Sequence, residues 1–147
     1  MTATIGITMG DPAGVGPETI CRALSRIPAA QRSLTRVFGA REVLERANAL
    51  TGSGIRFVAE NPVDGEVGVT DIALPRGDVV PGTMSAAGGA AAHACIEAAV
   101  RAALDGRVAV IVTAPINKEA LNAAGHDFEG HTELLAHLTG VKASFML

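Results

Sequence analysis

Residues 108–119 read Val-Ala-Val-Ile-Val-Thr-Ala-Pro-Ile-Asn-Lys-Glu. The first five are apolar without interruption. A run of that kind predicts a strand of a parallel sheet buried on both faces, where no polar alternation is needed. Thr113-Ala114-Pro115 turns the chain out of it, and a short helix is expected from about Asn117 to Ala124. On the other side, Met84–Leu104 is an Ala-rich stretch long enough for a helix, with Thr83 or Ser85 to cap it and Asp105-Gly106 to stop it. Helix, buried strand, turn and helix in that order describe an α/β layer fold with a mostly parallel sheet.

The same alternation runs back to the start of the chain. Ala3–Thr8 reads as a strand, Met9–Gly16 as a Gly/Pro loop, and a helix begins near Pro17, where a missing N–H costs nothing. Glu18 complements its dipole. Ile20, Leu24 and Ile27 form its core stripe, and Pro28 ends it. Strand Leu34–Phe38, helix Arg41–Leu50 and strand Ile55–Ala59 follow. Between Asn61 and Pro81 only two short apolar runs stand out, Val67–Val69 and Ile72–Leu74, and one or two short strands are expected there. A loop with Gly125 and Gly130 leads to a helix over Thr132–Leu138. Ser144–Leu147 reads as the opening of another buried strand. A chain ending there is expected to be the N-terminal portion of a longer, two-domain protein.

Composition narrows the function. Of 147 residues, 48% are hydrophobic and 18% charged, which is globular. Four Phe, no Tyr and no Trp leave an aliphatic core, and 17 Gly suit close helix–sheet packing. The net charge of −3 and the scattered Lys and Arg give no footprint for nucleic acid or an anionic membrane. No apolar stretch reaches the length of a membrane span, and the N-terminus lacks signal-peptide character. Cys21 and Cys95 fall inside expected helices among apolar neighbours, so they read as buried free thiols in a reducing cytoplasm.

Three segments could carry chemistry. Gly10-Asp11-Pro12-Ala13-Gly14-Val15-Gly16-Pro17-Glu18 sits between strand and helix, at the carboxyl end where α/β sheets bind ligands. Its glycines either make a tight turn or let a ligand approach the backbone; it is neither GxGxxG nor a P-loop. Asn117-Lys118 follows the buried strand, where it could meet a carboxylate or phosphate or simply start a helix. Gly130-His131-Thr132-Glu133 brings imidazole, hydroxyl and carboxylate to a helix start, suited either to a phosphate or to capping. His93 reads as a packing or solvent-facing residue of the long helix, and His126 as a loop residue. With His131 and His137, these histidines lack the spacing of a helical zinc pair, so no metal site is expected within this chain.

Taken in order, residues 7–18 (ITMGDPAGVGPE), 81–100 (PGTMSAAGGAAAHACIEAAV) and 112–140 (VTAPINKEALNAAGHDFEGHTELLAHLTG) resemble the 4-hydroxythreonine-4-phosphate dehydrogenase family of vitamin B6 biosynthesis. The resemblance implies a three-layer fold like that of isocitrate and isopropylmalate dehydrogenases, whose Gly-Asp-Gly-Ile-Gly-Pro-Glu turn is comparable to Asp11–Glu18, here with Pro12-Ala13 inserted. It implies oxidation and decarboxylation of 4-phosphohydroxy-L-threonine with NAD or NADP. A divalent metal (Zn, Mg or Co) would be held by three histidines beyond this chain. His131 and Thr132 would contact the phosphorylated substrate, with Asn117 and Lys118 supporting them. Asp11, Gly14 and Gly16 would shape the cofactor side. A homodimer with a shared site is also implied. Close paralogues act on 4-phosphoerythronate or phosphothreonate, and a short non-catalytic phosphate-binding module is the remaining alternative.

Overall fold

The structure is a computed structural model and describes residues 4–77 and 79–142. Five strands form one sheet: β1 (Ile5–Thr8), β2 (Thr35–Gly39), β3 (Arg56–Val58), β4 (Glu66–Asp71) and β5 (Val110–Thr113). Their spatial order is β3-β4-β2-β1-β5, and every pairing is parallel. The helices are α1 (Gly16–Arg26), α2 (Ala29–Arg32), α3 (Arg41–Thr51), α4 (Ala86–Leu104), α5 (Lys118–Ala123) and α6 (His131–Thr139). Ala3 and Ser144–Leu147, expected to be extended, lie outside the described residues.

Alternation along the strands feeds two cores, giving three layers. Val37 joins Ile20, Cys21 and Leu24 of α1 and Val43 and Leu44 of α3 in the main cluster. Its neighbour Phe38 faces the other way and packs with Ala99 and Ala102 of α4 and with Val108. A third cluster joins Ile96 and Val100 of α4 to Leu134 of α6. The helix starts follow local chemistry. Pro17 sits in the first turn of α1. The Ser85 hydroxyl caps α4 by accepting from the Gly88 N–H at 3.0 Å.

One expectation is corrected and two are sharpened. The run Val108–Val112 is not buried on both faces: β5 pairs only with β1 among the described residues, and Val110 and Val112 are 54% and 48% exposed. Its apolar character is real, but its position at the sheet edge leaves the face carrying those two valines uncovered. Of the one or two short strands expected around Val67–Val69 and Ile72–Leu74, one forms. One strand, β4, ends at Asp71, whose carboxylate accepts the Arg41 N–H at 2.9 Å, and Ile72 continues only through a bond from its N–H to the Gly39 carbonyl. Finally, Pro28 does more than end α1. It stands at the N-cap of α2, a single turn that the sequence reading passes over.

Candidate active site

The chain leaves β1 toward β2 on one side, while β5 arrives on the other side through α4. The strand order therefore reverses between β1 and β5, which is where open α/β sheets place their ligand crevice. The β1–α1 loop and the β5–α5 turn meet at this point.

Gly10 turns the first loop with φ +75°, and a Cβ there would overlap the Pro115 carbonyl. That close approach lets the Asp11 N–H donate to the Pro115 carbonyl at 3.0 Å. Asp11 is only 6% exposed. Its Oδ1 accepts from the Ala13 N–H at 2.9 Å, and its carbonyl accepts from the Gly14 N–H at 3.0 Å. The bare Cα of Gly88 allows the first turn of α4 to lie against the same carboxylate: a Cβ there would sit 2.8 Å from Oδ1. Asp11 thus organises the turn and presents its carboxylate to the cleft. Gly14 is exposed and lines the cleft. Gly16 is different. It is buried, and a Cβ would overlap the Met9 carbonyl, so its smallness serves the packing of α1 against β1.

On the opposite wall, Asn117 caps α5, its Oδ1 accepting from the Ala120 N–H at 2.9 Å. It also lines the cleft beside Pro115 and Ile116. Lys118 points elsewhere in function: its ammonium, at the surface, is paired with the Glu129 carboxylate, which holds the lysine pKa above its ordinary value. Lys118 is not among the residues lining the cleft.

His131 and Thr132 open α6 behind Gly130. The first-turn Glu133 accepts from the Glu129 N–H at 2.8 Å, so part of this motif does cap the helix. His131 is half-buried and its Nε2 is buried without a hydrogen-bond partner among the described residues. Burial lowers its pKa, and a hydrogen bond to the Ala114 carbonyl works against that shift.

Ala114 and Pro115 are therefore the junction of all three motifs. The Pro115 carbonyl takes the Asp11 N–H, and the Ala114 backbone acts on the His131 ring. The cleft beside them has a volume of about 310 Å³ and is walled by Asp11, Gly14, Val15, Pro115, Ile116 and Asn117. Gly82, Thr83 and Met84 form its third wall, drawn in by the Gly82 N–H bond to the Ala13 carbonyl at 2.8 Å. Sequence reading did not place this third wall; its signal was the Pro81-Gly82 turn ahead of the α4 cap. A second cavity of about 520 Å³ shares Ala13, Gly14, Val15 and Gly82 and extends to Glu18 and Arg22.

A parallel three-layer sheet with a cleft at its switch point defines the class: an α/β protein that takes a small ligand at the carboxyl ends of its strands. Residues 31–147 match the family described as pyridoxal phosphate biosynthetic protein PdxA, and the chain belongs to that family. It is 45% identical, over 97% of its length, to a putative D-threonate 4-phosphate dehydrogenase of Bradyrhizobium diazoefficiens, of which it spans 43%. It is 37% identical over 98% of its length to a 4-hydroxythreonine-4-phosphate dehydrogenase of Thermosynechococcus vestitus, spanning 41% of that protein. The crystal structure of a 4-hydroxythreonine-4-phosphate dehydrogenase from Burkholderia phymatum superposes with a TM-score of 0.87 at 40% identity, covering 97% of this chain and 45% of that one. The chain thus spans less than half the length of these relatives.

Proposed function

We propose that this chain supplies one wall of the active site of an NAD(P)-dependent dehydrogenase acting on a phosphorylated four-carbon hydroxy acid. The observation that carries the reading is the junction at Ala114–Pro115, which holds the Asp11–Gly14 loop, the Asn117 cap and His131 at one end of the sheet. In this reading His131 and Thr132 contact the substrate phosphate, helped by the N-terminus of α6. Asn117 offers its amide beside them, and Lys118 keeps Glu129, and with it the loop before α6, in place. Asp11 and Gly14 face the cofactor, and Gly16 supports them from within. A dinucleotide held there would supply the hydride acceptor. The cleft volume lies at the low end of the roughly 300–1,000 Å³ usual for small-molecule sites, which fits one part of a dinucleotide and a second wall from elsewhere. A homodimer with a shared site, working in the cytoplasm, would supply such a wall.

The metal does not fit the residues at hand. Among the described residues no group of three or more His, Cys, Asp or Glu side chains is placed to hold an ion, so no step is assigned to it here. For the substrate, D-threonate 4-phosphate is the first choice: relatives bearing that name are 45% and 43% identical to this chain, against 37% to 41% for those named for 4-hydroxythreonine 4-phosphate. The vitamin B6 intermediate is the second. The test is reduction of NAD or NADP by the full-length protein against both phosphates and their unphosphorylated forms. Turnover of a phosphorylated acid that collapses in His131→Ala is expected. Equal turnover without the phosphate group would overturn the assignment of His131 and Thr132.

A further inference from the structure

The corner that carries His131 is fastened to α4 by two histidines. His93 lies in the middle of α4, and its ring stacks on that of His126, with centroids 3.6 Å apart and planes within 3°. Both side chains are half-buried. His126 follows Gly125, whose φ of +89° turns the chain out of α5, and the His126 N–H donates to the Leu121 carbonyl at 3.1 Å. Two residues on, Phe128 packs on Ile96, Val100 and Leu134, with its ring 5.3 Å from that of His137. His93, Ile96 and Val100 are spaced three and four apart, so one stripe of α4 receives both the loop and α6. Glu129 then pairs with Lys118. The segment 124–130 is therefore held at His126, at Phe128 and at Glu129 before it delivers His131 to Ala114.

Two neutral imidazoles stack as aromatic rings, whereas two imidazoliums at this spacing repel. The groups facing His93 are His126 from the loop, His137 from α6 and Glu97 one turn along α4. Only Glu97 is acidic. Burial is the main cause lowering the His93 pKa; His126 and His137 add to it and Glu97 opposes it. A base whose pKa is lowered by folding stabilises the fold fully above its free value, about 6.5 for histidine. That contribution is lost as pH falls below this value and through the folded one, because the unfolded chain then binds more protons.

We infer that His93 is a positioning residue for the 124–130 loop and that the His93–His126 stack is an acid-released fastening, closed while the His93 ring is neutral and opened when that half-buried ring takes up a proton. Opening frees the loop from α4 and disturbs the Lys118–Glu129 pair and the seat of His131. The device controls the loop itself, so it can be tested without any ligand, and its failure is distinct from a failure of the phosphate assignment.

The test is amide hydrogen exchange on the full chain at about pH 7.5 and about pH 5.5, corrected for the intrinsic pH dependence of exchange. Loop amides 125–130 should lose about tenfold in protection at the lower pH, while α1 and α3 change little. His93→Phe and His126→Phe each keep a flat ring without a titrating charge, and in both the loop should stay protected at the lower pH. In the wild-type chain the His93 imidazole should titrate below the free histidine value. Unchanged loop protection in the wild type would overturn the proposal. So would an acid loss that persists undiminished in both Phe variants.

Discussion

Gly89→Ala tests how closely α4 and α5 are packed. At an exposed helix position this substitution stabilises, by about 1 kcal/mol of helix propensity. At Gly89 a Cβ would overlap the Ala120 carbonyl and lie 2.6 Å from the Leu121 nitrogen. Both are backbone atoms, so no side chain can swing aside. Restoring an ordinary contact near 3.4 Å to the Ala120 carbonyl oxygen, which a Cβ would meet at 1.9 Å, moves α5 by about 1.5 Å, against a close-packed interior that resists such shifts. Overpacking of this kind costs about 1–3 kcal/mol, and a rigid backbone neighbour puts it at the upper end. After subtracting the propensity gain, the net loss is about 2 kcal/mol. At roughly 3 °C per kcal/mol for a chain of this size, the melting point should fall by about 6 °C. The chain has no Trp or Tyr, so the melt is best followed by far-ultraviolet circular dichroism. Gly88→Ala is the companion. Its Cβ would meet the Asp11 carboxylate oxygen at 2.8 Å, a milder overlap with a side-chain tip and not with backbone, so its melting point should fall less. A Gly89→Ala protein that melts at or above the wild type would refute the reasoning.

Three further outcomes are expected. Asn117→Ala removes the acceptor for the Ala120 N–H and should cost about 1 kcal/mol in urea unfolding, while Asn117→Asp should restore most of it. Burial pushes the Cys95 thiol up to about 12, and burial with Glu18 and Glu45 pushes Cys21 up to about 11; a disulfide reagent at about pH 8 should leave both unreacted in the folded chain and modify both in urea. His131, with its pKa lowered by burial, is neutral near pH 7.5, and a bound phosphate dianion favours its protonated form. Binding of a phosphorylated acid should therefore take up a proton and tighten as pH falls from about 8 toward 6.5; calorimetry in buffers of different ionisation enthalpy that shows no uptake would remove His131 from the phosphate site.

Much of the fold is legible because the strands and helices carry their own punctuation. Pro17, Ser85 and the Gly52 that ends α3 mark boundaries that the structure keeps. What is not legible is neighbourhood. The valines of β5 read as buried because a hydrophobic run says nothing about how many strands flank it. A four-residue helix such as α2 has no periodicity to detect. Asp11, Gly14 and Asn117 were found because they follow strand ends. The third wall of the cleft hides in the irregular stretch before α4, and the His93–His126 stack joins residues far apart in sequence, with no local pattern to betray it.

The 19 residues of α4 make a rod about 28 Å long, and each piece of the candidate site is gauged from a different turn of it. Gly88 sets the distance to Asp11, Gly89 to α5, His93 to the loop and Ile96 and Val100 to α6. These parts hold their spacing because they are all measured along one ruler. A rotation or slide of α4 would displace every one of them together, so the helix that contributes least chemistry sets the tolerances of all the rest.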